Sequence, residues 1–344
     1  MSKQGRTAVA LLGLLAVGQV SADALLPPLP DPQDGINAAQ YGDFYSYSLP
    51  LLAYRHDLAN GGGVGPGNPF YIDSSPGQIQ DYIVVATGSN GGPVTTNFAG
   101  MDNAYATPNG VAGNPEFYTN TSDPSGYGVG DPDQIANFTG DTENTWDARV
   151  SSMLDFLGGS ELVVYFNNNQ INSCEDHSCQ ELFAAAQVRL VSDDGLHEVY
   201  FDLLNNGGLG PIFGFMGGDT GNYTSAGAWG DDFNDYVLSG GQVCVDATAT
   251  TFLPCDAPGA VLFNHNLGAN QAAYAIWSPE LTAALNSGLY DVMQVDIRMR
   301  GLNNGYEQIF IGRMESTPPH EVPTPTALLL MSAGLLMLWR QRKL

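Results

Sequence analysis

The sequence has almost no lysine. Its 344 residues contain only Lys3 and Lys343, one near each chain end. Lysine and arginine together number 11 against 36 aspartates and glutamates, which gives a net charge of −25. A surface so acidic repels nucleic acid and anionic lipid and attracts divalent cations, although scattered acidic residues usually serve solubility. The composition therefore excludes a lysine base in the body of the chain and argues against a nucleic-acid partner.

Catalytic signatures are lacking as well. The sequence contains no G-x-S-x-G, no H-E-x-x-H and no G-x-x-x-x-G-K-[ST] motif, and its five histidines stand singly. A lone histidine is more often a surface or strand residue than a catalyst. We therefore expect a protein that is not an enzyme.

The first 22 residues have the pattern of a secretory signal peptide. Lys3 and Arg6 precede an apolar run over residues 8–17, and the small residues at positions 20–22 suit cleavage after Ala22. The pattern predicts that signal peptidase removes a short N-terminal helix and that the chain is exported.

The last 23 residues carry a second membrane signal. An apolar run spans residues 327–339. It is preceded by the proline-containing segment Val322, Pro323, Thr324 and Pro325, and it is followed by a basic end with Arg340, Arg342 and Lys343. A helical membrane span needs about 17 to 25 residues, so this hydrophobic helix is a marginal span. Its basic end favours the cytoplasmic side, whereas a buried terminal helix is the alternative.

The two ends together resemble the PEP-CTERM proteins of Gram-negative bacteria, which have an N-terminal signal and a C-terminal sorting tail. The resemblance covers the last 23 residues, and Thr324 stands where the family usually has glutamate. It implies recognition by an exosortase-type membrane enzyme and a destination at the cell surface or outside the cell. The helix then holds the chain to the inner membrane, either transiently before cleavage or stably as an anchor.

Four cysteines are present, and an even number in an exported chain is typical of disulfides. Their spacing favours two local pairs, Cys174 with Cys179 and Cys244 with Cys255, although four cysteines allow three connectivities. Zinc binding by Cys174, His177 and Cys179 is the alternative, against which the spacing and the oxidising compartment speak.

The pattern of apolar residues predicts a mainly β chain. Strands are expected at residues 44–54, 79–86, 161–166, 182–192 and 197–204. A helix is predicted around Val150 to Leu157, ended by Gly158, and a second one follows the N-cap Ser278. The alternation over residues 290–301 predicts a strand that turns at Asn304-Gly305 into a hairpin with residues 306–314.

These elements predict one antiparallel β-sandwich, jelly-roll-like, with two short helices. The expected division is a signal peptide at 1–22, a Pro-rich lead-in at 23–40, the sandwich domain with long loops at 41–316 and the sorting tail at 317–344.

Two acidic segments are candidate calcium sites, because calcium takes six to eight oxygen ligands from loops. One holds Asp231, Asp232 and Asp235 close to the aromatic residues Tyr223, Trp229 and Tyr236; the other runs from 131 to 147 and includes Asp131, Asp133 and Asp141. Neither has EF-hand spacing, and a solvated turn is the plainer interpretation of both.

Three functions follow in order of preference. The first is a structural or adhesive role in a surface or exopolysaccharide layer, which the sorting tail implies. The second is calcium-assisted glycan binding, with the aromatic residues as a sugar platform. The third is glycan hydrolysis by two loop carboxylates, which requires paired acids about 5 to 10 Å apart.

Overall fold

The protein is described here by a computed structural model. It describes residues 26–32, 34, 36–75, 79–88, 99–107, 116–119, 145–170, 182–205, 236–239, 242–304 and 307–316. The predicted signal helix and the predicted C-terminal helix lie outside these residues.

The described residues are mainly β, as the sequence predicts. Their strands are β1 Ala38–Tyr41, β2 Phe44–Ser48, β3 Ile83–Thr87, β4 Tyr105–Ala106, β5 Glu116–Tyr118, β6 Trp146–Arg149, β7 Glu161–Phe166, β8 Leu182–Val191, β9 Glu198–Leu203, β10 Val237–Ser239, β11 Gln242–Val245, β12 Val261–Asn264, β13 Tyr274–Trp277, β14 Val292–Arg300 and β15 Ile309–Met314. The α-helices are α1 Leu49–Asn60, α2 Val150–Leu157 and α3 Pro279–Leu285, and a 3-10 helix spans Ile79–Asp81.

Two larger sheets and one small one hold these strands. The first has seven strands in the order β1-β2-β13-β7-β15-β3-β4. In the second, β8 and β14 pair centrally, β9 and β10 share the outer edge of β8, and β5 and β6 share that of β14. All of these pairs are antiparallel except β3 with β4, which is parallel and makes the first sheet mixed. The small sheet pairs β11 with β12.

The predicted hairpin between residues 290–301 and 306–314 is wrong. Its first half does form β14, but β14 pairs with β8 on one edge and with β5 and β6 on the other. No edge is therefore left for β15, which lies between β7 and β3 in the other sheet. The connection between the two strands crosses from one sheet to the other.

The predicted strand at residues 44–54 is correct only up to Ser48. The Ser48 side chain accepts a hydrogen bond from the Leu51 amide at 3.3 Å, and Pro50 lies in the first turn of α1. A serine N-cap followed by proline starts a helix, and the aromatic run before it hid this signal. The described residues consequently have three α-helices where two were expected.

The other two helices agree with the sequence. Helix α2 ends at Gly158, whose left-handed backbone (φ 56°) closes the last turn. Helix α3 begins after Ser278, whose hydroxyl accepts from the Leu281 amide at 3.2 Å. Both helices have capping signals within a few residues, which is why a local pattern was sufficient.

One hydrophobic cluster joins the two larger sheets. It contains Leu162 and Ile311 of the seven-stranded sheet together with Leu190 and Met293 of the other. A second cluster covers the opposite face of the seven-stranded sheet with α1 and the N-terminal segment. Because this sheet is covered on both faces, all five residues of β3 are buried, which explains its uninterrupted apolar run.

Candidate functional site

Most residues that the sequence analysis singled out lie outside the described part of the chain. These are the sorting residues at 322–325, 340, 342 and 343, the cysteines at 174 and 179, and the calcium candidates at 131, 133, 141, 231, 232 and 235. Their predictions stay predictions. In the described residues there is no helix long and apolar enough to cross a membrane, and no group of three or more His, Cys, Asp or Glu side chains arranged to hold a metal ion.

The second cysteine pair is described. Cys244 of β11 and Cys255 form a disulfide that closes the loop between them, with 5.1 Å between their Cα atoms. This is one of the two local pairs expected from the spacing. The bond ties the small sheet to the loop that precedes β12.

Tyr236, at the edge of one calcium candidate, does not offer a sugar platform. Its side chain is buried, and the guanidinium of Arg300 lies over its ring at 4.7 Å from the centroid. A glycan stacks on an exposed aromatic face, whereas the ring of Tyr236 is covered by the protein. Tyr236 anchors β10 against the end of β14.

Asp147, at the end of the other calcium candidate, is also buried. Its carboxylate accepts from the hydroxyl of Thr145 at 2.5 Å, and its backbone amide donates to the carboxylate of Asp102 at 2.7 Å. The two chain segments also bond through the Asp102 amide and the Asp147 carbonyl at 2.9 Å. These hydrogen bonds attach residues 101–104 to β6.

The two ends of the described body meet. Leu26 lies beside β15: its amide donates to the carbonyl of Arg313 at 3.2 Å, and its carbonyl accepts from the Glu315 amide at 2.8 Å. Leu26 and Met314 are both buried in the cluster that covers the outer face of the seven-stranded sheet. Leu26 and the end of β15, the described parts nearest to the predicted signal and the predicted tail, therefore lie side by side at a place that we call the end junction.

An apolar cavity of about 120 Å³ lies between the two larger sheets. The first sheet contributes Phe166, Ile276 and Ile309 to its walls, and the second contributes Ala186, Leu203 and Ile297. Pockets that bind small molecules are usually concave and mostly apolar. This cavity is the described feature that best fits that pattern.

Ser48 and His265 form a pair at one side of this cavity. Ser48 Oγ lies 2.7 Å from Nε2 of the fully buried His265, whose ring stacks on that of Tyr274 with 5.0 Å between centroids. The sequence separates them by 217 positions, so no local motif could have shown the contact. Because the same hydroxyl caps α1, we interpret the pair as structural rather than as a nucleophile and its base.

A buried polar cluster lies where β7 ends and β15 begins. Gln170 connects three segments: its side-chain amide donates to Glu307 at 2.7 Å, its side-chain oxygen accepts from the Asn303 amide at 3.0 Å, and its backbone amide donates to Asn266 at 2.9 Å. The sequence signal for this cluster is the run of asparagine and glutamine that follows the strand at 161–166, which the pattern of apolar residues does not reveal. The cluster fixes the loops at this end of the sheet.

Glu307 is the most perturbed group of that cluster. It is fully buried, and its Oε2 accepts no hydrogen bond from the described residues. Burial raises the pKa of this carboxyl to about 7, partly offset by the amides of Glu307 itself, Asn169 and Gln170. The groups that lower this pKa are amides.

These features define a class: a mainly β protein with two sheets that share a core, an apolar cavity between them and both ends of its described body at one junction. The chain belongs to the family described as Domain of unknown function (DUF8239), whose model matches residues 27–298. No curated protein and no solved structure matches the chain. The family match ends within β14, so membership does not extend to the C-terminal tail.

Proposed function

We propose that this chain is an exported protein of the cell surface or the extracellular matrix, with a structural or adhesive role, delivered through its C-terminal tail. In this proposal signal peptidase removes residues 1–22, and an exosortase-type enzyme recognises residues 322–343. The body carries no catalytic activity. Its partners are exopolysaccharide or other matrix glycans.

The end junction is the observation that carries this proposal. Leu26, four residues after the proposed cleavage site, is hydrogen-bonded beside β15, which ends shortly before the proposed tail. A body attached by its C-terminal side then presents its other sides, and the carboxylates on them, to the surroundings. The resemblance of the chain ends to a signal and a sorting tail, and the disulfide between Cys244 and Cys255, agree with export.

We also propose that the two larger sheets pack face to face as a jelly-roll-like sandwich. The support is the hydrophobic cluster that contains residues of both sheets. Many cell-surface domains share the β-sandwich architecture.

Truncation of the tail tests the proposed address. We compare the full chain with a chain that stops after Ser316, which keeps β15 and the hydrogen bond between Glu315 and Leu26. In the native host the full chain is expected at the surface or in the matrix, and the truncated chain free in the periplasm. The tail alone is removed, so the truncated body is expected to fold.

Two controls complete this experiment. A chain without residues 2–22 is expected to stay in the cytoplasm, because its export signal is missing. A full chain with Arg340, Arg342 and Lys343 replaced by alanine tests the basic end separately. Equal distribution of the full and truncated chains between fractions would contradict the proposal.

A further inference from the structure

We infer that the cavity between the two sheets binds a small, uncharged, apolar molecule. This goes beyond the proposed role at the cell surface, and it stands or falls independently of it. Three features of the cavity support it, namely the packing of its walls, its size and the chemistry of the side chains around it.

The walls contain apolar side chains that the core leaves partly uncovered. Val164, Tyr274 and Ile276 belong to the seven-stranded sheet and pack against the shared cluster, yet they are only half-buried. Ala184 and Ala186 of β8 are half-buried in the same way on the opposite wall. Protein cores are normally close-packed, so partly uncovered residues on both sheets mark a space that the described residues do not fill.

The two alanines explain why the space exists. Ala184 and Ala186 pair with Met299 and Ile297 of β14. Together with Ala185 they are the small residues among the otherwise branched or long side chains that the second sheet contributes to the lining. Two methyl groups stand where larger side chains would reach the facing sheet. Each methylene missing from a core lowers the stability of the folded protein, so a cavity of this kind destabilises the fold unless a ligand occupies it.

Size and polarity then define the ligand. A cavity of about 150 Å³ lined by aliphatic and aromatic side chains stays dry and binds benzene. The present cavity, about 120 Å³ and lined mainly by Ile, Val, Ala and Phe, is close to that size. It suits a molecule of five or six carbon atoms or the end of a longer apolar chain, roughly by the same comparison.

The charge on the ligand is set by the polar groups near the cavity. No charged side chain is among the described residues that line it. Ser48 is already hydrogen-bonded to His265 and to the Leu51 amide, and the Asn37 side chain is bonded to Asp31 and Arg55. An ion would lose its hydration without gaining a counter-charge from these residues, so the cavity selects neutral molecules.

Benzene is the probe that tests this inference. Thermal melting of the full protein is recorded with benzene and with benzoate, which adds a charge to the same ring. At tenfold excess over its dissociation constant, benzene is expected to raise Tm by about 2 °C or more, and benzoate is expected to leave Tm unchanged.

Two variants locate the binding site. Ala186→Leu fills the cavity and is expected to abolish the benzene shift, whereas Ala283→Leu, on the exposed side of α3, is expected to keep it. If Ala186→Leu does not fold, Ala184→Val takes its place and is expected to weaken benzene binding at least fivefold. No shift in the unmodified protein, an equal shift with benzoate, or full binding by the filled variant would overturn the inference.

Discussion

Replacement of Gly42 by alanine is expected to lower the free energy of unfolding by about 3 to 5 kcal/mol. Gly42 lies in the turn between β1 and β2 with φ at +60°, and a Cβ atom there would be 2.0 Å from the backbone oxygen of Asp202 in β9. The neighbouring Asp43 amide donates to that same oxygen at 2.9 Å, and the Asp43 carboxylate accepts from the Asp202 amide at 2.8 Å. The added methyl group must therefore push the turn of one sheet away from the edge strand of the other.

Gly158 provides the matched control. Its φ is +56°, almost the same as that of Gly42, but a Cβ atom there would meet nothing within 4 Å. Gly158→Ala introduces only the strain of a left-handed backbone and is expected to lower the free energy of unfolding by about 1 to 2 kcal/mol. Denaturant unfolding of both variants separates the two effects. Equal losses would mean that the contact between the β1–β2 turn and β9 does not matter.

Replacement of Glu307 by glutamine is expected to remove a pH-dependent loss of stability. The pKa of this carboxyl rises from an ordinary 4.5 to about 7 in the folded protein. Below pH 4.5 both the folded and the unfolded chain hold the proton, and the group costs nothing. As the pH rises from 4.5 to 7, this carboxyl ionises first in the unfolded chain, which stabilises the unfolded chain relative to the folded one. Above pH 7 the whole cost is present, about 3 kcal/mol.

The comparison therefore needs two pH values and one control variant. At pH 8 Glu307→Gln is expected to be more stable than the unmodified protein by that amount, and at pH 4 the two are expected to agree. Glu315→Gln removes a carboxylate from an exposed position just after β15 and is expected to change little at either pH. Burial also raises the pKa of Asp202, to about 6, but this contribution is present in all three proteins and cancels. A pH-independent effect of Glu307→Gln would refute the shifted pKa.

Local signals were sufficient where one element carries its own boundaries. Gly158 ends α2 and Ser278 begins α3, and in both cases the residue that decides lies within the helix or next to it. The helix at Leu49–Asn60 also has such a signal in Ser48 and Pro50. The aromatic residues before Ser48 favour a strand, so the predicted strand extended past Ser48 to residue 54 and included the first half of this helix.

Pairing between distant strands could not be read from the sequence. β14 has the alternation of a hairpin strand and a turn sequence follows it, but its partners β5, β6 and β8 come from residues 116–191. Those strands occupy both edges of β14, so neither edge is free to pair with β15. The competition for an edge depends on the whole sheet, and no short pattern reports it.

The candidate site shows the same limit. The cavity is lined by residues from distant parts of the chain, among them Ala184 and Ala186 of β8 and Ile276 and Ile309 of the seven-stranded sheet, so no local pattern shows it. Ser48 meets His265 across the fold, and Glu307 meets Gln170 across two loops. Each contact needs the tertiary structure, whereas the chain ends, whose signals are linear, could be interpreted from the sequence alone.

Mass spectrometry of the chain ends tests the central proposal most directly. Protein is collected from the cell surface and the medium, digested, and mapped for its first and last peptides. The proposal predicts an N-terminus at Asp23 and no peptide from residues 328–339 in released material. Recovery of the uncut chain, with residues 1–22 and 328–339 both present and the protein confined to the cytoplasm, would contradict it.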